Sequence, residues 1–262
     1  MIKEETRQVA SNVMEGMTSV SALLAAKAEG TNDRPILEIR FDRAKKEKKR
    51  REFSFLEHKC KELGIPLTLT DAEALEKVCI GNTHGGIIAL CGDRTIPLPT
   101  AEALPQKGFL CLLEGIEDPY NFGYALRSLY AAGCDGILLG ERNWMSAAGV
   151  VARASAGASE HFPVWAGDPL RTVRLLKSMG YRVVCAGIRN SVGLYEADLC
   201  KPLLLVVGGE KRGISAEMLA EADQIVRIDY GRDFKGSLSA ASAATVMAFE
   251  VLRRNPSQNQ EV

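Results

Sequence analysis

The apolar positions of the chain recur in two successive series of short strand and helix patterns. In the first, Val20, Leu23 and Leu24 with alanines between them predict a helix over Met17–Ala28. The alternation in Pro35–Phe41 predicts a strand, and Pro66–Leu69 and Gly86–Cys91 predict two more. Between the first two strands, DRAKKEKKRREFSFLEHKCKELG reads as one helix, basic in its first half and burying Phe55, Leu56 and Leu63 in its second. Gly64 ends it, and Asp71 caps a short helix reaching Lys77. Residues 1–14 read as a polar lead-in, and Asp93–Lys107, with three prolines and no period, as a linker.

The second series opens with Phe109–Glu114, apolar almost throughout, as a parallel strand buried on both faces must be. Further strands are expected at Gly136–Leu139, Tyr181–Ala186, Pro202–Val207 and Ile225–Ile228. Helices are expected at Tyr124–Ala132, Ala147–Ala154, Pro169–Met179 and from Ser237, a candidate cap, to about Arg254. The last helix carries Ala240, Ala241, Ser242, Ala243 and Ala244 on its first turns, so a neighbour approaches its backbone closely there. Such alternation gives an α/β chain: a small α/β domain over 1–95, a linker over 96–107, and a parallel sheet with helices on both faces over 108–262.

Composition narrows the chemistry. Lys+Arg and Asp+Glu balance at 33 each in 262 residues, so any basic surface must come from segregation of charge. The run Arg43, Lys45, Lys46, Lys48, Lys49, Arg50, Arg51 is one such segregation: a solvated helix face, or a patch for phosphates. The seven cysteines form no C-x-x-C pair, and with three histidines they offer no metal spacing; buried thiols in a reducing cytosol are expected. The polar start MIKEETRQVA is unlike a signal peptide, and no apolar run is long enough for a membrane span, so a cytoplasmic protein is expected.

In an open parallel sheet, ligands bind outside the carboxyl ends of the strands. The loops to inspect therefore follow Glu114, Ala186, Val207 and Ile228. The first, Asp118–Gly123, contains Asn121, able to cap the helix that carries Arg127, which in turn could pair with a carboxylate. The third has Gly208-Gly209-Glu210 at a strand end. It lacks the Lys-Ser/Thr of a P-loop and any G-x-G-x-x-G, which counts against ATP and NAD.

Taken together, these loops resemble the SpoU, or TrmH-like, class of SPOUT RNA ribose 2′-O-methyltransferases. Glu114–Gly133 is similar to the family's D-P-x-N-x-G…R segment, with Asn121, Gly123 and Arg127 matching. VVGGEKRGIS is similar to its G-x-E-x-x-G-[IL]-S, with Gly208, Glu210, Gly213 and Ser215 matching. The stretch from Ile225 is similar to I-P-M…S-L-N-V-S-x-A, except that Asp229-Tyr230 replace Pro-Met and Ser239 replaces Asn. Ser155-Ala156-Gly157-Ala158 looks like the family's S-A-G-A element, and EGMTSVSALLAA and THGGIIAL are similar to its N-terminal segments.

The resemblance implies a deep trefoil knot in the second domain and a ribosomal-protein-like α/β substrate-binding domain in the first. It implies S-adenosylmethionine as cofactor, RNA (rRNA or tRNA) as substrate, a homodimer packed through the knot, and no metal. Carried over residue by residue, it makes Asn121, Arg127, Glu210, Ser237 and Ser239 catalytic. Cofactor contacts would come from Ala186, Gly187, Gly208, Gly209, Glu210, Gly213, Ile228, Tyr230, Ser237 and Leu238. RNA contacts would come from Arg43, Lys45, Lys46, Lys49, Arg50 and His84. The alternative reading is a knotted RNA-binding protein in which Ser239 weakens or abolishes catalysis.

Overall fold

The computed structural model describes residues 12–81, 84–140 and 143–256. The chain divides into one unit of Met1–Thr95 with Trp144–His161 and a second of Ile96–Asn143 with Phe162–Val262.

The first unit begins with Val13–Glu15 (β1) and Gly16–Glu29 (α1), the latter ended by Gly30 in the left-handed conformation. Ile36–Asp42 (β2), Arg50–Leu63 (α2), Leu67–Thr70 (β3), Ala72–Glu76 (α3) and Ile87–Cys91 (β4) follow. The sheet order is β1-β4-β2-β3, antiparallel except for the β2–β3 pair. β1 lies in the stretch expected to be a polar lead-in; its Val13 faces Leu90 across the ladder. The basic run is not one helix. Asp42 accepts the Ala44 N–H and caps a single 3-10 turn, and the α-helix starts only at Arg50. Starting there, α2 buries Phe53, Leu56 and Cys60, one stripe at helical spacing, and leaves Phe55 41% exposed. The expected burial of Phe55 is thus corrected by one turn-phase of the helix.

Residues 144–161, expected in the second domain, pack with the first unit. There Ala148–Ala154 (α5) brings Ala148 and Ala152 into the core of Met14, Leu23, Leu24, Ile39 and Phe41. Gly157, in the S-A-G-A element, has φ of +87°, and a Cβ there would collide with the Cβ of Ala22 on α1. After it, Ala158–His161 (α6) supplies Glu160, whose carboxylate meets Arg34 at 2.8 Å with both side chains about 1% exposed.

The second unit carries a seven-stranded sheet among the described residues, parallel at every pairing. Its elements are Phe109–Glu114 (β5), Pro119–Ala131 (α4), Gly136–Leu139 (β6), Val164–Ala166 (β7), Pro169–Ser178 (α7), Arg182–Ala186 (β8), Val192–Gly193 (β9), Leu203–Gly208 (β10), Ala216–Ala220 (α8), Gln224–Arg227 (β11) and Ala240–Arg254 (α9). The order β7-β6-β5-β10-β8-β11-β9 puts β10 at the centre, where Leu203 to Val207 are all buried. Leu110, Leu112, Leu204 and Val206 turn to one face with Val173, Leu176 and Met218 of α7 and α8. Their alternate neighbours Phe109, Cys111 and Leu113 face the other way, where α9 packs on α4 and β10. The residues expected to link the domains are part of this unit from Ile96 on: Leu104 is buried and Pro97 accepts the Ala166 N–H.

Cys60, Cys91, Cys111, Cys134 and Cys185 are buried free thiols; Cys79 is half-buried and Cys200 exposed. Burial pushes the Cys91, Cys134 and Cys185 thiols up to about 12, so they stay protonated. No described helix is long and apolar enough to cross a membrane, and the described residues contain no cluster of metal-ligating side chains.

Candidate functional site

The carboxyl ends of β5 and β10 lie side by side, with Leu113 opposite Val207 and Glu114 opposite Gly208. The chain leaving β10 makes a tight turn in which Gly213 N–H bonds Gly209 C=O at 2.9 Å, and Gly209 N–H bonds Glu114 C=O at 2.7 Å. Glycine is required at two places. A Cβ on Gly209 would strike the Gly115 carbonyl, and one on Gly208 would lie 2.6 Å from the Ile214 nitrogen. The turn holds Glu210 where its Oε1 accepts from Asn121 Nδ2 at 3.0 Å and from the Ala240 N–H at 3.1 Å. One carboxylate thus ties the first turn of α4 to the first residue of α9.

Asp118 caps α4 by accepting the Tyr120 and Asn121 N–H groups, with Pro119 at the first helical position. The cap expected at Asn121 belongs to Asp118, which frees the Asn121 amide for Glu210. Farther along, Arg127 is exposed, with no hydrogen bond or ion pair among the described residues. Ser128, next to it, bonds Thr245 of α9 at 2.6 Å, so the small residues of α9 let the two helices approach closely.

A pocket of about 490 Å³ opens beside β8 and β11. Its walls are Ala186–Ile188, the strand end Val226–Ile228, Tyr230 and Asp233 to Leu238 of the loop, and Ala243 and Met247 of α9. The loop is held in shape by the Leu238 N–H bonding the Tyr230 hydroxyl at 3.1 Å and by the tilted rings of Tyr230 and Phe234, 5.7 Å apart. Gly187 is pinned by its N–H to Val226 C=O, and a Cβ there would come within 2.9 Å of Ile225. Gly236 is pressed against Phe234 in the same way, its Cβ position 2.6 Å from the ring. Asp229 does not face this pocket; Arg227 holds it at 2.7 Å while also bonding Ser191 C=O.

The description "SpoU rRNA Methylase family" matches residues 108–249, more than half of the chain. The chain belongs to the SpoU family. A Staphylococcus saprophyticus protein named only by the TrmH tRNA/rRNA methyltransferase family is 36% identical over 58% of this chain and 61% of its own. The 23S rRNA (guanosine-2′-O-)-methyltransferase RlmB of Shewanella oneidensis is 28% identical over 94% of this chain and 98% of that protein. The AdoMet-bound rRNA methyltransferase of Sinorhizobium meliloti superposes with a TM-score of 0.76 at 23% identity, over 97% of this chain and 92% of that one, a likeness of fold. SpoU methyltransferases use S-adenosylmethionine as methyl donor.

The SpoU motif residues therefore divide into two neighbouring groups in the second unit. Asn121, Gly208, Gly209, Glu210 and Gly213 build the bridged turn; Ala186, Gly187, Ile228, Tyr230, Ser237 and Leu238 line the pocket. Ser239, not Ser237, caps α9: its Oγ accepts the Ser242 N–H at 3.2 Å and lies 3.0 Å from the Ser242 hydroxyl. Phe234, Gly236 and Met247 also line the pocket and escape motif matching; the aromatic-glycine spacing in DFKGS was the available signal. In the first unit the basic residues have individual neighbours. Arg43 reaches Leu69 C=O, Lys45 lies 3.5 Å from Asp42, Lys46 sits 4.4 Å over the Phe53 ring, Lys49 lies 3.5 Å from Glu52, and Arg50 is exposed. His84 is 93% buried, 7% of its surface remaining, and its Nδ1 accepts the Gly86 N–H.

Proposed function

We propose that the protein transfers the methyl group of S-adenosylmethionine to a ribose 2′-hydroxyl of structured RNA, rRNA or tRNA. The observation that carries this is the Glu210 bridge. It joins the first and second motifs, through Asn121, to a backbone amide of the third, two residues beyond the pocket wall at Leu238. The pocket fits the donor: a space of about 490 Å³ with backbone edges at Ala186–Gly187 and Gly236–Leu238 for hydrogen bonds, and apolar walls at Ile228 and Met247 for a purine. Once bound there, the donor presents an electrophilic methyl on a sulfonium.

The residues of the chain then position the acceptor. Holding a hydroxyl in line with the methyl carbon supplies on the order of 7–11 kcal/mol of barrier reduction in favourable cases. A guanidinium stays protonated and is a poor base, so Arg127 acts as a clamp on the target phosphate and stabilises alkoxide charge, while the hydroxyl proton passes to that phosphate or to a neighbouring group. Its exposure and lack of a partner among the described residues leave its donors available. Asn121 and Glu210 set the angle of α4 on which Arg127 rides, and the hydroxyl of Ser237, in the pocket wall, is free for donor or substrate.

The same reading includes a deep trefoil knot, a homodimer and an RNA-binding role for the first unit in the cytoplasm. The knot is supported by the path of the C-terminal segment. β11 lies beyond β8 from β10, yet α9 packs on α4 and β10, so the chain crosses back over strands already laid down. Such threading is exceptional among folds.

The test is methyl incorporation from labelled S-adenosylmethionine into ribosomal and transfer RNA. Arg127→Ala is expected to lower the rate on the order of a hundredfold or more while calorimetric affinity for the donor is unchanged. Donor binding with no methylation of any RNA would leave a binding protein and reject the enzymatic reading.

A further inference from the structure

Apart from the donor pocket, the first unit holds a second, more polar pocket of about 310 Å³. It is lined by the start of α1 (Gly16, Met17, Thr18 and Ser19), together with Lys49, His84 and Arg153. The residue before α1 is Glu15, and its side chain makes no cap to the helix. The first-turn amides, the positive end of a 14-residue helix, are thus left without a side-chain acceptor.

The carboxylate of Glu15 does not quench the site. Its Oε1 accepts the Ile80 and Gly81 N–H groups at 2.6 and 3.1 Å, and its Oε2 takes Arg153 at 3.0 Å. Two nearly buried polar side chains in the wall are incompletely partnered. Ser19 is 2% exposed, and its hydroxyl has no hydrogen bond among the described residues. His84 is 7% exposed; because its Nδ1 accepts the Gly86 N–H at 3.1 Å, the proton of the neutral ring sits on Nε2, which has no partner among the described residues. Glu15 itself lines the pocket, with its carboxylate taken up by the Ile80, Gly81 and Arg153 donors, and the nearly buried groups left over in the wall are the Ser19 hydroxyl and the His84 Nε2–H.

We propose that this pocket is an anion site that seats one phosphate group of the RNA backbone, the helix amides, Lys49 and His84 donating to its oxygens. Only the identity of the carrier rests on the RNA-methyltransferase reading; the anion chemistry stands on the donors themselves. A polymer is favoured over a free phosphate because Lys49 belongs to the run Lys48–Arg51, whose other members are exposed and can meet the adjoining phosphates.

The test uses the full-length chain with inorganic phosphate as probe, read by amide chemical shifts. The Gly16–Ser19 amides are expected to shift and saturate, and Lys49→Met and His84→Gln are each expected to weaken that binding about tenfold. In the same variants the slope of log K against log salt for RNA is expected to fall by about one, with donor affinity unchanged. No saturable shift at α1, or shifts indifferent to both substitutions, would overturn the site. Phosphate binding with an unaltered RNA salt slope would overturn the assignment to RNA. Loss of methylation alone, with phosphate and RNA results as expected, would count against the enzymatic reading and leave this site standing.

Discussion

At the scale of single residues, the motif glycines are explained by what lies within a van der Waals radius of them. Gly209 presses on the Gly115 carbonyl, an atom of a loop almost a hundred positions earlier, and a neighbouring backbone cannot retreat as a flexible side chain can. Gly209→Ala is therefore expected to cost on the order of 2–4 kcal/mol in urea unfolding, and to weaken donor binding as the Glu210 turn shifts. Gly231, with open space around it, serves as control: Gly231→Ala should change stability by only a few tenths of a kcal/mol. That Gly208 and Gly209 bound a functional loop was legible from the sequence, since paired glycines at a strand end allow close approach. Which backbone approaches was not, because the contact partner is remote in sequence. The cap expected at Ser237 lies two positions on, at Ser239, for a local reason. Both are good caps, and only the path of the loop, fixed by Tyr230 and Leu238, decides which one reaches the first free N–H groups.

At the scale of elements, strands buried on both faces were plain in the sequence because β5, β6 and β10 consist almost wholly of apolar residues. Short edge strands such as β9, two residues long, carry no period to read. α4 starts at Pro119, a turn before the expected Tyr124, because Asp118 rather than Asn121 is the cap and proline at the first turn behind it favours the helix. The far end of α9 offers a prediction about pH. Glu250 is 5% exposed and is gripped by Arg253 at 2.6 Å and Arg254 at 2.8 Å. The hydrogen bond from Arg253 holds its carboxyl down to about 2, against the opposing effect of burial, with Arg254 adding to the depression. A folded-state value below the unfolded one means the pair stabilises the protein fully above about 4.5 and loses that contribution as pH falls towards 2. After allowance for water around the exposed Arg253, the contribution is on the order of 1–2 kcal/mol. Unfolding free energies of wild type and Glu250→Gln, compared between neutral pH and the acid limb, should differ most above pH 4.5 and converge in strong acid. A constant difference across that window would show that the ion pair is not what Glu250 contributes.

At the scale of the whole molecule, the order of elements predicted the α/β architecture, but not that residues 144–161 leave the second unit for the first. A linear reading assigns contiguous stretches to one domain. Here the decisive contacts, Gly157 on Ala22 and Arg34 with Glu160, span well over a hundred positions. Quaternary structure is the next consequence. Tyr120, Tyr124 and Arg127 lie at helical spacing on one face of α4, and the two tyrosines are 46% and 49% exposed; on α9, Phe249 is 45% exposed. Aromatic residues in that number on two packed helices are costly to leave in water and are enriched at interfaces between subunits. A second copy covering the tyrosine face of α4 would also shield the flank of Arg127, so the proposed dimer and the proposed chemistry are linked through one helix. Light scattering at micromolar concentration should then give twice the 28.4 kDa of the chain. Tyr124→Glu, which places a charge on that face, should shift the population towards monomer and lower methyl transfer, whereas Lys235→Glu, on the exposed pocket loop, should leave the mass unchanged. A wild-type mass of a single chain, with transfer intact, would separate the two and show that α4 works without a partner.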